Sequence, residues 1–358
     1  MKKNSLIELM RFTFASIILL FHAGSDAGIL DNTYHLGGVE VSFFRCGYLG
    51  VEFFFVISGF LMARNVYDTL SNNIESDGLA KDTIAFLLKK VRSLFPIYLI
   101  ACVLVSLYFF TIGKNSLFII QRLPSLLLLQ RSGIVDKEYV GLAWYISSML
   151  LCMALLYPLL RKHYYMFCSV YGPLLGLLLI GFLIHTTGYL GGVSDWIGVT
   201  YKCNYRAFAE LSLGAACYEA SRNISQKRWT KWRKYMFSVF AILSVLISIG
   251  STCSINRLFN DGCVLLCMCV AVTIVFGKVG LFSNTKALYN NKAFLYLGKL
   301  SMPMFLLQNV LHYWVLYFYK GSSITLRISL VFWGTVLLSV LALDLQKRLF
   351  VLSSAKNR

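Results

Sequence analysis

The sequence predicts an all-α membrane protein, a polytopic helical bundle of about ten transmembrane helices with both termini in the cytoplasm. Composition is the first observation that supports this fold class. The 358 residues are 58% hydrophobic and only 14% charged, and their mean hydropathy is +0.67. Soluble domains usually contain about 25% charged residues. The composition therefore indicates a protein that crosses the membrane many times.

Ten apolar stretches are the second observation, because each is long enough to cross the hydrocarbon core. They lie at about 5–24, 47–66, 93–113, 140–160, 165–187, 203–221, 235–252, 258–277, 293–318 and 324–344. The sixth stretch is the least apolar, since it contains Arg206 and Glu210. Residues 116–130 are also apolar, but polar residues and a proline interrupt them. We expect that segment to be interfacial or re-entrant rather than an eleventh span.

The third observation is the distribution of basic residues along the chain. Of the 34 Lys and Arg residues, 22 fall on the side of the N-terminus, 9 on the opposite side and 3 within the spans. Cytoplasmic loops carry the excess of Lys and Arg, so both termini are predicted to be cytoplasmic, as an even number of spans requires. The formal charge of +18 is thus explained by topology and does not indicate nucleic-acid binding.

The organisation of the chain predicts one integral membrane domain over residues 1–358, with no fused soluble domain. The first span contains Glu8 and Arg11 and lacks a signal-peptide cleavage pattern, so we expect it to stay in the mature protein. The loops are short throughout. Ten cysteines lie mostly within the spans without CxxC spacing, and we interpret them as packing residues. No metal site is expected.

Arg11 and His22 are the first candidate site residues, because both lie in the first span. Eleven steps of about 100° amount to three turns plus roughly 20°, which places the two side chains on one helix face about 16 Å apart. Ionisable groups inside a bilayer are costly and commonly functional. For Arg11 the alternative is a local salt bridge with Glu8, three residues earlier on the same face.

His22 is the best candidate for a general base, since imidazole titrates near neutral pH. The predicted topology puts His22 near the outer face, and Glu52, at the start of the second span, at the same depth. Glu52 could therefore orient His22 or stabilise its charged form. The alternative is a histidine that only hydrogen-bonds water or lipid headgroups.

Lys89, Lys90 and Arg92 form a basic cluster at the cytoplasmic start of the third helix. Cations about three residues apart share a helix face and could bind the phosphates of a nucleotide-containing donor. Snorkelling anchors at a helix end are the alternative interpretation. In the second span, Gly59 follows Ser58 and would allow a close approach of another helix backbone.

Together these motifs resemble the acyltransferase-3 family of integral membrane acyltransferases, many of which O-acetylate bacterial surface polysaccharides. The resemblance rests on four blocks in order, namely Arg11 to His22 (Arg-x10-His), Gly50 to Leu61 (GVEFFFVISGFL), Lys89 to Pro96 (KKVRSLFP) and Leu297 to Gln308 (LGKLSMPMFLLQ). Weaker similarities are Trp144 to Ser147 at the start of the fourth span, and Arg206 with Gly214 in the sixth.

The resemblance implies transfer of an acyl group, most commonly acetyl, from cytoplasmic acyl-CoA to a hydroxyl of a cell-surface or lipid-linked polysaccharide. It implies an enzyme of the bacterial cytoplasmic membrane that uses acetyl-CoA as a substrate, has no permanently bound cofactor and does not bind nucleic acid. Lys89, Lys90 and Arg92 would hold the donor phosphates. His22, assisted by Glu52, would deprotonate the acceptor hydroxyl or transiently accept the acyl group.

Arg11 would stabilise negative charge on the acyl carbonyl or on the donor. Three departures from the family pattern affect these roles. Lys89 stands where the family has the first arginine of Arg-x-x-Arg, and Gln308 stands where it has a histidine, with His312 one turn further on the same face. The acidic residue that often follows the Trp-x-x-Ser motif is absent, and Met149 lies nearby.

The alternative function is a transporter or flippase of a lipid-linked sugar. Such a protein could use Arg11, His22, Glu52 and Arg206 as a path for substrate or protons. Many transporters bind substrate at paired broken helices in two repeated halves, and the sequence shows no such pair. An acyltransferase is therefore the favoured prediction.

Overall fold

The computed structural model describes residues 4–36, 38–72, 78–135, 137–255, 259–282 and 290–356. Its long helices are α1 (Ser5–Ala27), α2 (Gly50–Ser71), α3 (Leu79–Thr111), α5 (Trp144–Lys162), α7 (Gly172–Thr187), α8 (Lys202–Gln226), α9 (Lys231–Thr252), α10 (Asp261–Gly277), α11 (Lys292–Phe318) and α12 (Ile324–Lys356). The short helices are α4 (Ser116–Ile120), α6 (Tyr164–Met166) and a π-helix (Phe167–Tyr171) that connects α6 to α7.

The remaining elements are small. Short 3₁₀ helices lie at Gly47–Leu49, Leu123–Leu127, Gly141–Ala143 and Gly280–Phe282. Strands β1 (Thr33–Leu36) and β2 (Val39–Ser42) form one antiparallel pair, and β3 (Trp196–Ile197) and β4 (Thr200–Tyr201) form another. The predicted all-α fold class is confirmed.

Each predicted apolar stretch coincides with one long helix. Among the described residues, seven helices are both long and apolar enough to cross a membrane. Of the other three, α10 has only 17 residues, and α8 and α11 contain several polar side chains. Helices α3 and α12 extend beyond the predicted ends, because hydropathy detects only the apolar part of a helix whose polar turns continue outside the membrane.

The segment at 116–130 is not an eleventh span. It forms the five-residue helix α4 and a 3₁₀ helix, and it folds against α3 through polar contacts. The Tyr98 hydroxyl donates to the Ser125 carbonyl at 2.9 Å, and the Gln130 amide donates to the Tyr98 hydroxyl at 2.8 Å. The Gln130 amide also donates to the Ser125 carbonyl at 2.8 Å, so this backbone group of the broken helix is satisfied inside the protein, as a re-entrant segment requires.

The most polar long helix, α8, lies at the centre of the bundle and packs against α2, α5, α7 and α10. Three of its charged residues, Lys202, Arg206 and Glu210, are almost fully buried. Neighbouring helices therefore separate these charges from lipid, which explains why a helix of low hydropathy can occupy this position.

Two glycines bring α2 and α8 into backbone contact. A side chain at Gly59 would collide with the backbone of Leu211, and one at Gly214 would collide with the Val56 carbonyl. The close approach predicted at Gly59 is confirmed. Because the two backbones touch here, side chains nearer the outer ends of α2 and α8 are held against each other.

The other half of the bundle is built by α1, α11 and α12, which pack on one another. Gly298 of α11 lies against Glu8 of α1, and a side chain at position 298 would overlap the Glu8 side chain. Seven of the ten cysteines are buried, in agreement with a packing role.

Candidate active site

Two cavities lie at opposite ends of the bundle, and α1 contributes to both. Arg11 lines the cavity at the end that holds the N-terminus, and His22 lines the cavity at the other end. We call them the inner and outer cavities, following the topology predicted from charge. Because α1 is uninterrupted from Ser5 to Ala27, the predicted axial separation of Arg11 and His22 is preserved.

The outer cavity has a volume of about 490 Å³, and its walls combine aromatic and aliphatic side chains. His22 and Arg206 are its polar groups in the interior, and Asp31 and Arg45, 3.2 Å apart, form an ion pair on its lining. The aromatic lining residues are Phe21, Tyr48, Trp144, Tyr189 and Phe305. Such a cavity presents flat apolar faces beside a few hydrogen-bonding groups, a combination typical of small-molecule sites.

Glu52 and Arg206 form a buried ion pair on the wall of the outer cavity. Arg206 donates from Nε to Glu52 Oε2 at 2.7 Å and from Nη2 to Glu52 Oε1 at 2.5 Å. Its Nη2 also donates to the Tyr48 carbonyl at 3.2 Å, and its Nε lies 3.3 Å from Glu210 Oε1. The guanidinium lies 5.8 Å from the centre of the Trp144 ring. Both carboxylates therefore converge on one arginine.

This pairing differs from the predicted arrangement of Glu52 and His22. In the described part of the chain, the Glu52 carboxylate is hydrogen-bonded to Arg206 and not to His22. The sequence placed Glu52 and His22 at equal depth, but depth does not determine which way a side chain points. The predicted local pair of Arg206 and Glu210 does exist, with Glu52 as the stronger partner.

His22 instead approaches His312 of α11. Their ring centroids are 6.2 Å apart, with the ring planes nearly perpendicular at 81°. The His22 ring also lies 5.0 Å from the ring of Phe21. His312 is buried and forms an ion-pair contact with Asp26, the residue four positions after His22 on α1. The sequence placed His312 one turn after Gln308 but did not predict its contact with His22. Asp26 was missed, although its spacing from His22 placed it on the same face.

Gln308 does not occupy a comparable position. It is buried, and its amide nitrogen donates to the Phe305 carbonyl of the preceding turn at 3.0 Å. Its side chain lines neither the inner nor the outer cavity, so in this chain the polar group that α11 presents near His22 is His312.

The inner cavity has a volume of about 380 Å³ and is lined by four cations from four helices. They are Arg11 of α1, Lys90 of α3, Lys299 of α11 and Lys347 of α12. Arg11 donates to Glu8 Oε2 at 3.0 Å, so the predicted local salt bridge is confirmed. Because Glu8 neutralises Arg11, the net positive charge of the cavity comes from the lysines.

Of the three basic residues predicted to bind donor phosphates, only Lys90 lines this cavity. It shares its helix face with Leu94 and Ile97, which also line the cavity. Lys89 and Arg92 are exposed and lie on neighbouring faces of α3. Sequence reasoning missed Lys299 and Lys347 as possible partners of Lys90, because only the packing of α11 and α12 against α3 brings them together.

An aromatic layer separates the two cavities. Tyr145 lines the inner cavity, and the adjacent Trp144 lines the outer one. The Tyr145 ring packs at 4.5 Å from Phe55 and at 5.5 Å from Phe305, and its hydroxyl lies 3.2 Å from the Ser58 hydroxyl. The start of α5, where Trp144 to Ser147 is weakly similar to the family pattern, therefore forms the boundary between the two cavities.

The fold and these cavities define a class, namely a multi-pass membrane protein with a lysine-lined cavity at one end and a cavity that contains a histidine at the other. A family model described as an acyltransferase domain, Acyl_transf_3, matches residues 4–344. The chain therefore belongs to the acyltransferase-3 family and is a membrane acyltransferase. No curated protein and no solved structure matches it significantly.

Proposed function

We propose that this protein transfers an acetyl group from cytoplasmic acetyl-CoA to a hydroxyl of a cell-surface or lipid-linked polysaccharide, and that it does so in the bacterial cytoplasmic membrane. The observation that carries the proposal is the pair of cavities. One is lined by lysines, the other contains His22, and both meet the same aromatic layer. A donor and an acceptor can thus enter from opposite ends and meet within the bundle.

The inner cavity suits the donor because CoA carries several phosphate groups at one end. Lys90, Lys299 and Lys347 come from three different helices and can surround a polyanion, with each ammonium acting as a point charge. Arg11, already paired with Glu8, adds directional donors to the lining of the same cavity. This assignment retains Lys90 from the sequence prediction and replaces Lys89 and Arg92 with lysines of α11 and α12.

The pantetheine arm of the donor would extend from the lysines towards the aromatic layer. The hydroxyls of Ser58 and Tyr145 lie there, 3.2 Å from each other, and both residues line the inner cavity. Each hydroxyl can donate a hydrogen bond to a thioester carbonyl. Negative charge develops on that oxygen when the carbonyl is attacked, and hydrogen-bond donors placed there stabilise the transition state.

His22 supplies the acid-base chemistry on the acceptor side. As the acceptor oxygen attacks the acyl carbon, its O–H bond breaks and the proton passes to the His22 imidazole. The C–S bond breaks, and its electron pair leaves with the CoA sulfur. Arg206 and Glu52 shape the wall beside this reaction, since their polar atoms are already bonded to each other.

The outer cavity suits a carbohydrate acceptor. Tyr48, Trp144 and Tyr189 offer flat faces on which sugar rings can pack. Asp31 and Arg45, whose side chains are 85% and 44% exposed, offer hydrogen-bonding groups for sugar hydroxyls. A site with both kinds of surface favours an acceptor that is polar at its edges and apolar on its ring faces.

The proposal is tested with purified protein, labelled acetyl-CoA and a surface polysaccharide from which ester groups have been removed by mild alkali. We expect label on the polysaccharide with the wild type and none with His22→Ala. His185→Ala, at the exposed last turn of α7, is the matched control and should transfer normally. Movement of the glycan across vesicles without acetyl transfer would instead support the transporter alternative.

A further inference from the structure

His312 is an ionisable group that the proposed reaction does not yet use. It lies on α11, is only 6% exposed, and its ring centroid is 6.2 Å from that of His22. The nearly perpendicular rings are not stacked. Imidazole nitrogens that are too far apart for a direct hydrogen bond can exchange a proton through one bridging water. A proton on His22 can therefore reach His312 in one water-mediated step.

Asp26 holds His312 in place and connects it to the outer water. One Asp26 carboxylate oxygen contacts Nδ1 of His312, and the Asp26 side chain is 36% exposed. A carboxylate on Nδ1 fixes the tautomer and leaves Nε2 as the proton acceptor. Because Asp26 follows His22 by four residues on α1, both side chains project towards α11. The three groups form a path from the outer cavity to the solvent.

The other ionisable groups around His312 come from the elements that pack on α11. Helix α1 contributes His22 and Asp26, and α12 contributes Arg327, which lines the same small cavity as His312. Helix α3 contributes Tyr108, which stacks on Tyr313 at 5.3 Å. The 3₁₀ helix at Gly141–Ala143 contains no ionisable side chain. Asp26 is therefore the acidic group of this set, and it is the one that contacts His312.

We infer that His312, held by Asp26, is a relay residue that takes from His22 the proton of the acceptor hydroxyl and releases it to the outer water. The inference rests on the proposed function. The acceptor O–H bond breaks, its oxygen forms the ester bond, and the C–S bond breaks with its electron pair on sulfur. The proton moves from His22 to His312 and then past Asp26 to water. The CoA thiolate takes up a proton from water at the inner end, and His22 returns to its neutral form.

The test compares His312→Gln, His312→Ala and Asp26→Asn with the wild type and with His185→Gln as the matched control. Initial rates of transfer from labelled acetyl-CoA to the de-esterified polysaccharide are measured over a range of pH. Loss of an acid-base group typically costs about 10²-fold or more in rate. We expect such a loss for His312→Gln, a loss in the same direction for Asp26→Asn, and none for His185→Gln. Added imidazole should restore His312→Ala in proportion to its free-base form.

The outcomes separate the relay from a structural role and from failure of the proposed function. If the wild type transfers acetyl groups and His312→Gln matches its rate at every pH, the relay is wrong and the proposed function stands. If His312→Ala is inactive and imidazole does not restore it, His312 is structural and the relay is also wrong. Asp26→Asn remains informative if His312→Ala does not fold, because Asp26 is partly exposed. If the wild type transfers no acetyl group, the proposed function itself fails.

Discussion

Arg206 binds Glu52 through two hydrogen bonds, at 2.7 and 2.5 Å, in a part of the bundle where the two side chains are at most 1% exposed. The pair joins α8 to α2 beside the outer cavity. Because the same guanidinium lies 3.3 Å from Glu210, its removal would leave two carboxylates buried without their cation. The position of the cavity wall thus depends on one arginine.

Replacing Arg206 with methionine should therefore destabilise the protein strongly. Breaking a buried ion pair by removing one partner typically costs about 3–5 kcal/mol. We expect a large fall in the midpoint of thermal unfolding in detergent for Arg206→Met. Arg348→Met is the matched control, since Arg348 pairs with Asp344 while 77% exposed and should contribute little. Equal midpoints for the two variants would contradict the structural role of Arg206.

Gly59→Ala should weaken the contact between α2 and α8. A methyl group at this position would overlap the Leu211 backbone, which belongs to a helix and cannot easily move. Gly181→Ala is the matched control, because nothing lies within 4 Å of a side chain there, and alanine favours a helix by about 1 kcal/mol over glycine. We expect a lower thermal midpoint for Gly59→Ala and an equal or higher one for Gly181→Ala. The reverse order would show that α2 and α8 do not touch at Gly59.

Lys299→Gln combined with Lys347→Gln should raise the KM for acetyl-CoA. Both lysines line the inner cavity with Lys90, and their removal lowers its positive charge. We expect a rise of about tenfold, equivalent to roughly 1.4 kcal/mol of binding free energy, with a smaller effect at high salt. Lys162→Gln, at the exposed end of α5, should leave the KM unchanged.

The exposed pair Lys89 and Arg92 provides the comparison for that experiment. Since neither lines the inner cavity, the double variant Lys89→Gln with Arg92→Gln should change the KM less than the Lys299 and Lys347 variant does. A larger effect from Lys89 and Arg92 would favour the arrangement predicted from sequence over the one drawn from the cavity.

Glu138 provides a prediction about pH, because it lies in a loop outside the spans. Burial raises the pKa of this carboxyl, and Arg131, 3.0 Å away, opposes that shift only in part. A carboxyl whose pKa is higher in the folded state stabilises the fold at low pH and loses that contribution as pH rises through the folded pKa. The stability of Glu138→Gln relative to the wild type should therefore increase from acidic to neutral pH. If the difference between the unfolding midpoints of Glu138→Gln and the wild type is the same at every pH, this prediction is wrong.

Much of the fold was predictable from the sequence because hydropathy and charge report on depth in the membrane. The ten apolar stretches located the ten long helices, and Arg11 and His22 were correctly placed within one helix. Gly59 was correctly identified as a point of close approach. Each of these predictions depends only on local sequence and on position along a helix axis.

Side-chain partners across helices were not predictable in the same way. Glu52 was predicted to lie at the depth of His22, but the rotation of α2 directs it to Arg206. Lys299 and Lys347 join Lys90 only after α11 and α12 pack against α3. Depth is a one-dimensional quantity, and the direction of a side chain around its helix is set by tertiary packing.

The most direct test of the account uses vesicles in which the protein has one orientation, the de-esterified polysaccharide is enclosed, and labelled acetyl-CoA is added outside. When the end with Lys90, Lys299 and Lys347 faces the added donor, we expect label on the enclosed polysaccharide, and none with His22→Ala. If the enclosed polysaccharide stays unlabelled while polysaccharide added outside with the donor is labelled, or if transfer persists without His22, a path from an inner donor cavity to an outer acceptor at His22 is contradicted.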